Sequence, residues 1–285
     1  MNKKRKFENL KIDWTNLLII RDDSLGDFPY SFENTPYDYL EYAKEDFSSL
    51  TTRGFINAIT NAKRSIDCQI DSIIIALGYE LKTFDDNKYV KEFINENYET
   101  QDEVNGITNK LKLIRILDIA PVFLISKIRY LRNYVEHEYL IPTKEDTREA
   151  IEVAELFLHS SMRKFNTTVP CLTFGSNHKY SYDGEENSFN LDNLYSPHIQ
   201  FSIEPIDGLS EISLINEGSY VTTYMEDGEE VSTCGYSKAS ETIRLEKNSS
   251  EYLIALQIFF TENYRKLPEL LGNKMDSKFM KWVTY

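Results

Sequence analysis

The chain has 285 residues, enough to bury a substantial core in one large domain or two ordinary ones. Apolar residues make up 41% and charged residues 27%, an ordinary globular composition, and no apolar run reaches the roughly 18 uncharged residues that a membrane helix needs. A formal net charge of −14 excludes the broad basic field of proteins that grip long nucleic acid through its phosphates, so any phosphate contact has to be local.

The acid excess is uneven. Residues 1–165 carry 28 Asp and Glu against 23 Lys and Arg, whereas residues 166–285 carry 18 against 9, so the first half is the better place for a phosphate contact. Cys68, Cys171 and Cys234 are odd in number and far apart, which points to neither a disulfide framework nor a zinc site. The basic start, Lys3 to Lys6, runs into Glu8 and Asp13 rather than an apolar stretch. It reads as a disordered tail and not as a secretory signal, and the chain reads as cytoplasmic.

Residues 7–34 look irregular apart from Leu17–Ile20, a short apolar run fit for a strand. Helical grammar begins at Thr35-Pro36, where Thr35 can cap, Pro36 suits the first helical position and Asp38 favours the positive end of the dipole. Phe55, Ile59, Ala62, Ile66, Ile70, Ile73 and Leu77 then recur at spacings of three and four, with Gly78 placed for a C-terminal cap. The face between them is polar and includes Asn61, Asp67 and Gln69. Leu111, Ile114 and Leu117, followed by Val122, Ile125, Ile128 and Leu131, continue the period, and Pro121 either starts a second helix or kinks a longer one. Another helix opens at Thr143 with Asp146 in the capping-box position and buries Ile151, Ala154, Phe157 and Leu158.

Beyond about residue 165 the pattern changes to short segments rich in β-formers: Val169–Phe174, His198–Ile203, Glu211–Ile215, Tyr220–Met225 and Glu230–Thr233. Asp227-Gly228 between the last two is a hairpin signal. A late helix is expected from about Ser250 to Leu271, apolar on most sides and therefore buried. The expected fold is α+β: an all-α helical bundle over residues 1–165, then a smaller β-rich domain over residues 166–285 with a C-terminal helix.

Chemistry concentrates in Arg132-Asn133-Tyr134-Val135-Glu136-His137-Glu138-Tyr139. Asn133 and His137 are four apart and share a helix face, whereas Arg132 lies about 140° round from His137, within reach only through its long side chain. One copy of such a helix gives a loose site. Two copies crossing in a dimer would bring both arginines and both histidines around one cleft. An imidazole can exchange a proton with a ribose 2′-OH or a leaving 5′-oxygen, a guanidinium can stabilise a pentacoordinate phosphate, and a carboxamide can orient either partner. Because the 2′-OH is the nucleophile, neither a metal nor a cofactor is required. Taken one at a time the same residues have plainer readings: Arg132 as a surface ion pair with Glu136, His137 as an imidazole near the negative helix end, and Glu136 and Glu138 as solvated carboxylates. His159, His178 and His198 stand alone and read as structural or exposed.

The segment resembles the R-x4-H signature of the HEPN superfamily, with Asn133 as the polar residue that commonly follows the arginine, and through Tyr139 the longer R-x4-H-x-Y form of toxins paired with a nucleotidyltransferase antitoxin. The stretch from Arg53 to Arg64 is similar to the first long helix of many HEPN domains. The resemblance covers roughly residues 35–165. It implies an up-and-down bundle, a homodimer and a metal-independent endoribonuclease, acting as a toxin or antiphage defence effector, with Arg132, Asn133 and His137 as catalytic residues. It further implies an antitoxin or defence partner protein and Tyr139 as a modification site. The alternative is a HEPN module that dimerises or binds without cutting.

Overall fold

In the computed structural model, which describes residues 12–22, 28–98, 107–176, 198–204, 209–215, 220–226, 229–235, 241–273 and 276–284, helices and strands segregate along the chain. A first strand, β1 (Leu17–Asp22), is followed by α1 (Pro36–Ser48), α2 (Thr52–Ala76), α3 (Lys88–Asn97), α4 (Asn109–Ile116), α5 (Phe123–His137) and α6 (Lys144–Thr167). Then come β2 (Cys171–Ser176), β3 (His198–Glu204), β4 (Leu209–Ile215), β5 (Tyr220–Glu226), β6 (Glu229–Gly235), β7 (Glu241–Glu246), α7 (Ser250–Thr261), the short α8 (Leu267–Leu270) and β8 (Trp282–Thr284). The protein is mixed α and β, its helices mostly N-terminal and its strands mostly C-terminal.

Two compact units result. One consists of the helical stretch Leu25–Thr168 with Pro205–Gly208, and the other joins Met1–Ser24 to Val169–Glu204 and Leu209–Tyr285. The Leu17–Ile20 run, read above with the helical half, thus pairs in the sheet of the second unit. Lys3–Lys6, His178 and the Asp227-Gly228 turn lie outside the described residues.

The helical unit is assembled around α2. Its apolar stripe, Ala58, Ile59, Ala62, Ile66, Ile70, Ile73 and Ile74, is buried because α1, α5 and α6 all pack on it. Burial on several sides also takes in polar positions expected to face water. Gln69 is fully buried and its Nε2 donates to Ser161 Oγ at 2.9 Å, while Ser65 Oγ donates to the Pro36 carbonyl at 2.7 Å. The α1–α2 approach is close: a Cβ at Gly54 would overlap Ser49 Oγ and the Asp46 carbonyl oxygen. Capping boxes close the starts of α1 (Thr35, Asp38) and α6 (Thr143, Asp146), each side chain satisfying the other's backbone N–H. At the end of α2, Gly78 takes φ 84° while its N–H reaches Ile75 O and that of Tyr79 reaches Ile74 O, a Schellman closure. Pro121 starts a new helix rather than kinking one: α4 stops at Ile116, Asp118 turns left-handed (φ 52°), and α5 begins at Phe123.

In the second unit the six-stranded sheet runs β7-β4-β3-β2-β1-β8. All neighbours are antiparallel except β1 and β8. Leu17, Leu18 and Ile19 are buried whichever way they point, as an inner strand requires. In register, Leu172, Phe201, Ile212 and Ile243 form an apolar row across β2, β3, β4 and β7, and Phe201 meets Phe259 of α7 at 4.6 Å between ring centroids. β5 and β6 pair antiparallel as a separate hairpin, Glu226 opposite Glu229. The late helix is as buried as its composition demands, but it ends at Thr261 rather than near Leu271: Glu262 adopts φ 54°, and a 3₁₀ turn leads into α8, with Pro268 in its first turn.

Candidate functional site on α5

The Arg132–Tyr139 segment occupies the last two turns of α5 and the connection beyond. Ile125, Ile128 and Val135 anchor the inner face of the helix, which packs on α2 and α6. Cross-helix ion pairs hold its flanks: Lys127 Nζ lies 2.5 Å from Glu149 Oε1 of α6 and Arg129 lies 3.7 Å from Asp67 of α2. That leaves Tyr130, Asn133 and His137 on the solvent side. The helix terminates when Tyr139 turns left-handed (φ 57°), with the Tyr134 carbonyl accepting from both Glu138 N–H and Leu140 N–H.

Arg132 forms an ion pair with Glu136 one turn on, and its Nη1 approaches Asn133 Oδ1 at 3.4 Å. Its Nε is buried without a partner among the described residues, a donor directed at neither contact. The structure therefore brings Arg132, Asn133 and Glu136 together, and Glu136 is engaged rather than solvated. Among the described residues no hydrogen bond or ion pair joins His137 to Arg132 or Asn133; all three are carried by the same helix end, with Asn133 and His137 exposed. Tyr139 is 85% exposed and is followed by exposed Leu140 and Ile141.

Sequence reasoning missed the Tyr130–Tyr134 pair, whose hydroxyls are hydrogen-bonded and whose rings sit 4.3 Å apart. The i, i+4 spacing of two tyrosines was the available signal. The contact with Tyr130 pushes the Tyr134 phenol above its ordinary value. With Tyr139, Leu140 and Ile141, these rings border the candidate residues with apolar and aromatic surface. His159 is exposed on α6 against the Tyr37 ring, and His198 is buried in β3. Cys68 is a free thiol, pushed up to about 11 mainly by burial and then by Asp71. No helix among the described residues is long and apolar enough to cross a membrane. No group of three or more His, Cys, Asp or Glu side chains among them is placed to share a metal ion. No family model, curated protein or solved structure matches the chain.

Proposed function

We propose that the helical unit is a HEPN-type endoribonuclease that cleaves RNA by 2′-OH transesterification without a metal, and that two copies of α5 from a homodimer complete the site. In this reading His137 exchanges protons with the 2′-OH or the leaving oxygen, Arg132 stabilises the negative charge on the non-bridging oxygens of the pentacoordinate phosphate, and Asn133 orients the phosphate. The observation that carries it is that one helix end carries an arginine, a carboxamide and an exposed imidazole, bordered by exposed Tyr130, Tyr139, Leu140 and Ile141. Apolar surface in that position suits burial against a second α5. A toxin or antiphage role, with an antitoxin or defence partner and Tyr139 as the modified residue, follows from the motif resemblance alone.

The test is cleavage of a structured RNA by purified protein with and without EDTA, beside Arg132→Ala and His137→Ala. Cleavage that survives EDTA and drops by roughly 100-fold or more in both variants is expected. Full activity in the variants, or activity that EDTA abolishes, rejects the site. The second reading, a HEPN module that binds without cutting, is favoured by the Arg132–Glu136 ion pair, which ties up the guanidinium in the single chain, and by the net charge of −14. It predicts that Glu136→Gln confers no cleavage on an inactive protein.

A further inference from the structure

A second feature of the helical unit points to a ligand, at the opposite end of α5 from the motif. The connection between α4 and α5 and the outer face of α6 border an open cleft of about 600 Å³, within the size range of small-molecule sites. Its floor is apolar, formed by Ile119, Val122 and Leu156, the first two buried and Leu156 half exposed. Its rim is cationic: Arg115 from the last turn of α4, and Arg163 and Lys164 from α6, with the exposed His159 beside them.

Among the described residues Asp118 is the one carboxylate that lines the cleft, and its Oδ2 stands 3.9 Å from Lys164 Nζ, too far for a hydrogen bond. Arg163 makes no ion pair among the described residues. In a chain with 46 acidic and 32 basic residues, three fixed cations against one anion is a local reversal of sign. A rim of guanidinium and ammonium groups over an apolar floor matches an anion joined to a flat or apolar body. Inorganic phosphate alone would leave most of the volume empty.

We propose that this cleft binds the phosphate of a nucleotide, either free or within a single RNA strand, with base or ribose against Ile119, Val122 and Leu156 and the phosphate among Arg115, Arg163 and Lys164. Arg163 supplies a planar fork of donors and Lys164 a point charge, while Asp118 limits affinity by facing the same anion. Val122 precedes Arg132 by ten positions, roughly 15 Å along a helix axis, so the cleft is distinct from the α5 motif and does not depend on catalysis there.

The experiment titrates the full chain with adenosine monophosphate and, separately, with a fluorescein-labelled 2′-O-methyl oligouridine, which cannot undergo 2′-OH transesterification, at low and high salt. We expect binding that weakens with salt, falls at least about tenfold in Arg163→Ala/Lys164→Ala, and stays within about twofold in Lys82→Ala/Lys91→Ala, which removes equal charge from elsewhere in the unit. Asp118→Asn, which keeps a residue tolerant of the left-handed conformation while removing the opposing charge, is expected to tighten binding several-fold. The readout is binding of probes that cannot be cleaved, so a failed nuclease reading leaves this result intact. Binding of both probes marks a free-nucleotide site, and binding of the oligonucleotide alone marks a strand contact. No binding of either probe at low salt overturns the proposal, as does equal weakening by the two double variants.

Discussion

His198 is nearly inaccessible, 3% exposed at the start of β3, and its Nδ1 has no partner among the described residues. Desolvation lowers its pKa because the charged imidazolium loses more hydration than the neutral ring. The unfolded chain therefore binds the proton at higher pH than the folded one. Above the unfolded value, roughly 6.5, both states are neutral and nothing is lost. As pH falls from there toward the depressed folded value, the unfolded state gains a proton first and stability declines, by at most about 1.4 kcal/mol per pH unit for one group. Denaturant unfolding of the parent and His198→Gln between pH 7.5 and 5 checks this. The parent should show the steeper loss over that window, and parallel curves would refute the assignment. The sequence showed only an isolated histidine; its burial follows from its place in a sheet strand, paired with Ile215 of β4, which no local pattern announces.

At the scale of elements, the starts of α1 and α6 were legible, whereas α3, which begins at Lys88 after the Asn87 cap, and several helix ends were not. Thr35-Pro36 with Asp38, and Thr143 with Asp146, are signals contained in four residues, and both form capping boxes. Gly78 was readable because glycine takes a left-handed conformation without penalty. Leu50, Asp118, Tyr139 and Glu262 take the same conformation without glycine's freedom, so the stop after α7 and the turn after α5 had no residue to mark them. Tyr139 is the sharpest case. A bulky residue at φ 57° is strained by roughly 1–2 kcal/mol, and at 85% exposure its ring recovers little by packing in the single chain. Tyr139→Gly should therefore stabilise the protein by about 0.5–1 kcal/mol despite glycine's entropic cost, whereas Tyr139→Phe, which keeps the strain, should change little. Thermal unfolding of both variants decides it; a fall in Tm for the glycine variant means the ring packs against something, such as a second α5.

At the scale of the whole molecule, the short segments rich in β-formers after the helical periodicity matched the placing of most strands in the C-terminal part of the chain, but the allegiance of β1 was hidden. Its partners are Cys171–Ser176 and Trp282–Thr284, about 150 and 265 positions away, and a six-residue apolar run carries no record of which sheet it joins. The consequence is testable. β1 is an inner strand, and Leu17, Leu18 and Ile19, each at most 1% exposed, contribute roughly 2 kcal/mol apiece by burial. Their sum is comparable with the whole stability of an ordinary domain. Deleting residues 1–24 should therefore unfold the sheet, removing one of the two neighbours of β2 and the only partner of β8 among the described strands, while leaving the helical Leu25–Thr168 stretch folded. Hydrogen exchange separates the two outcomes. Amides of β2, β3 and β4 should lose protection by orders of magnitude while those in the middle of α2 and α6 keep theirs. Unchanged protection across the sheet would mean that β1 adds little to it, and parallel loss in α2 would mean that the two units unfold as one.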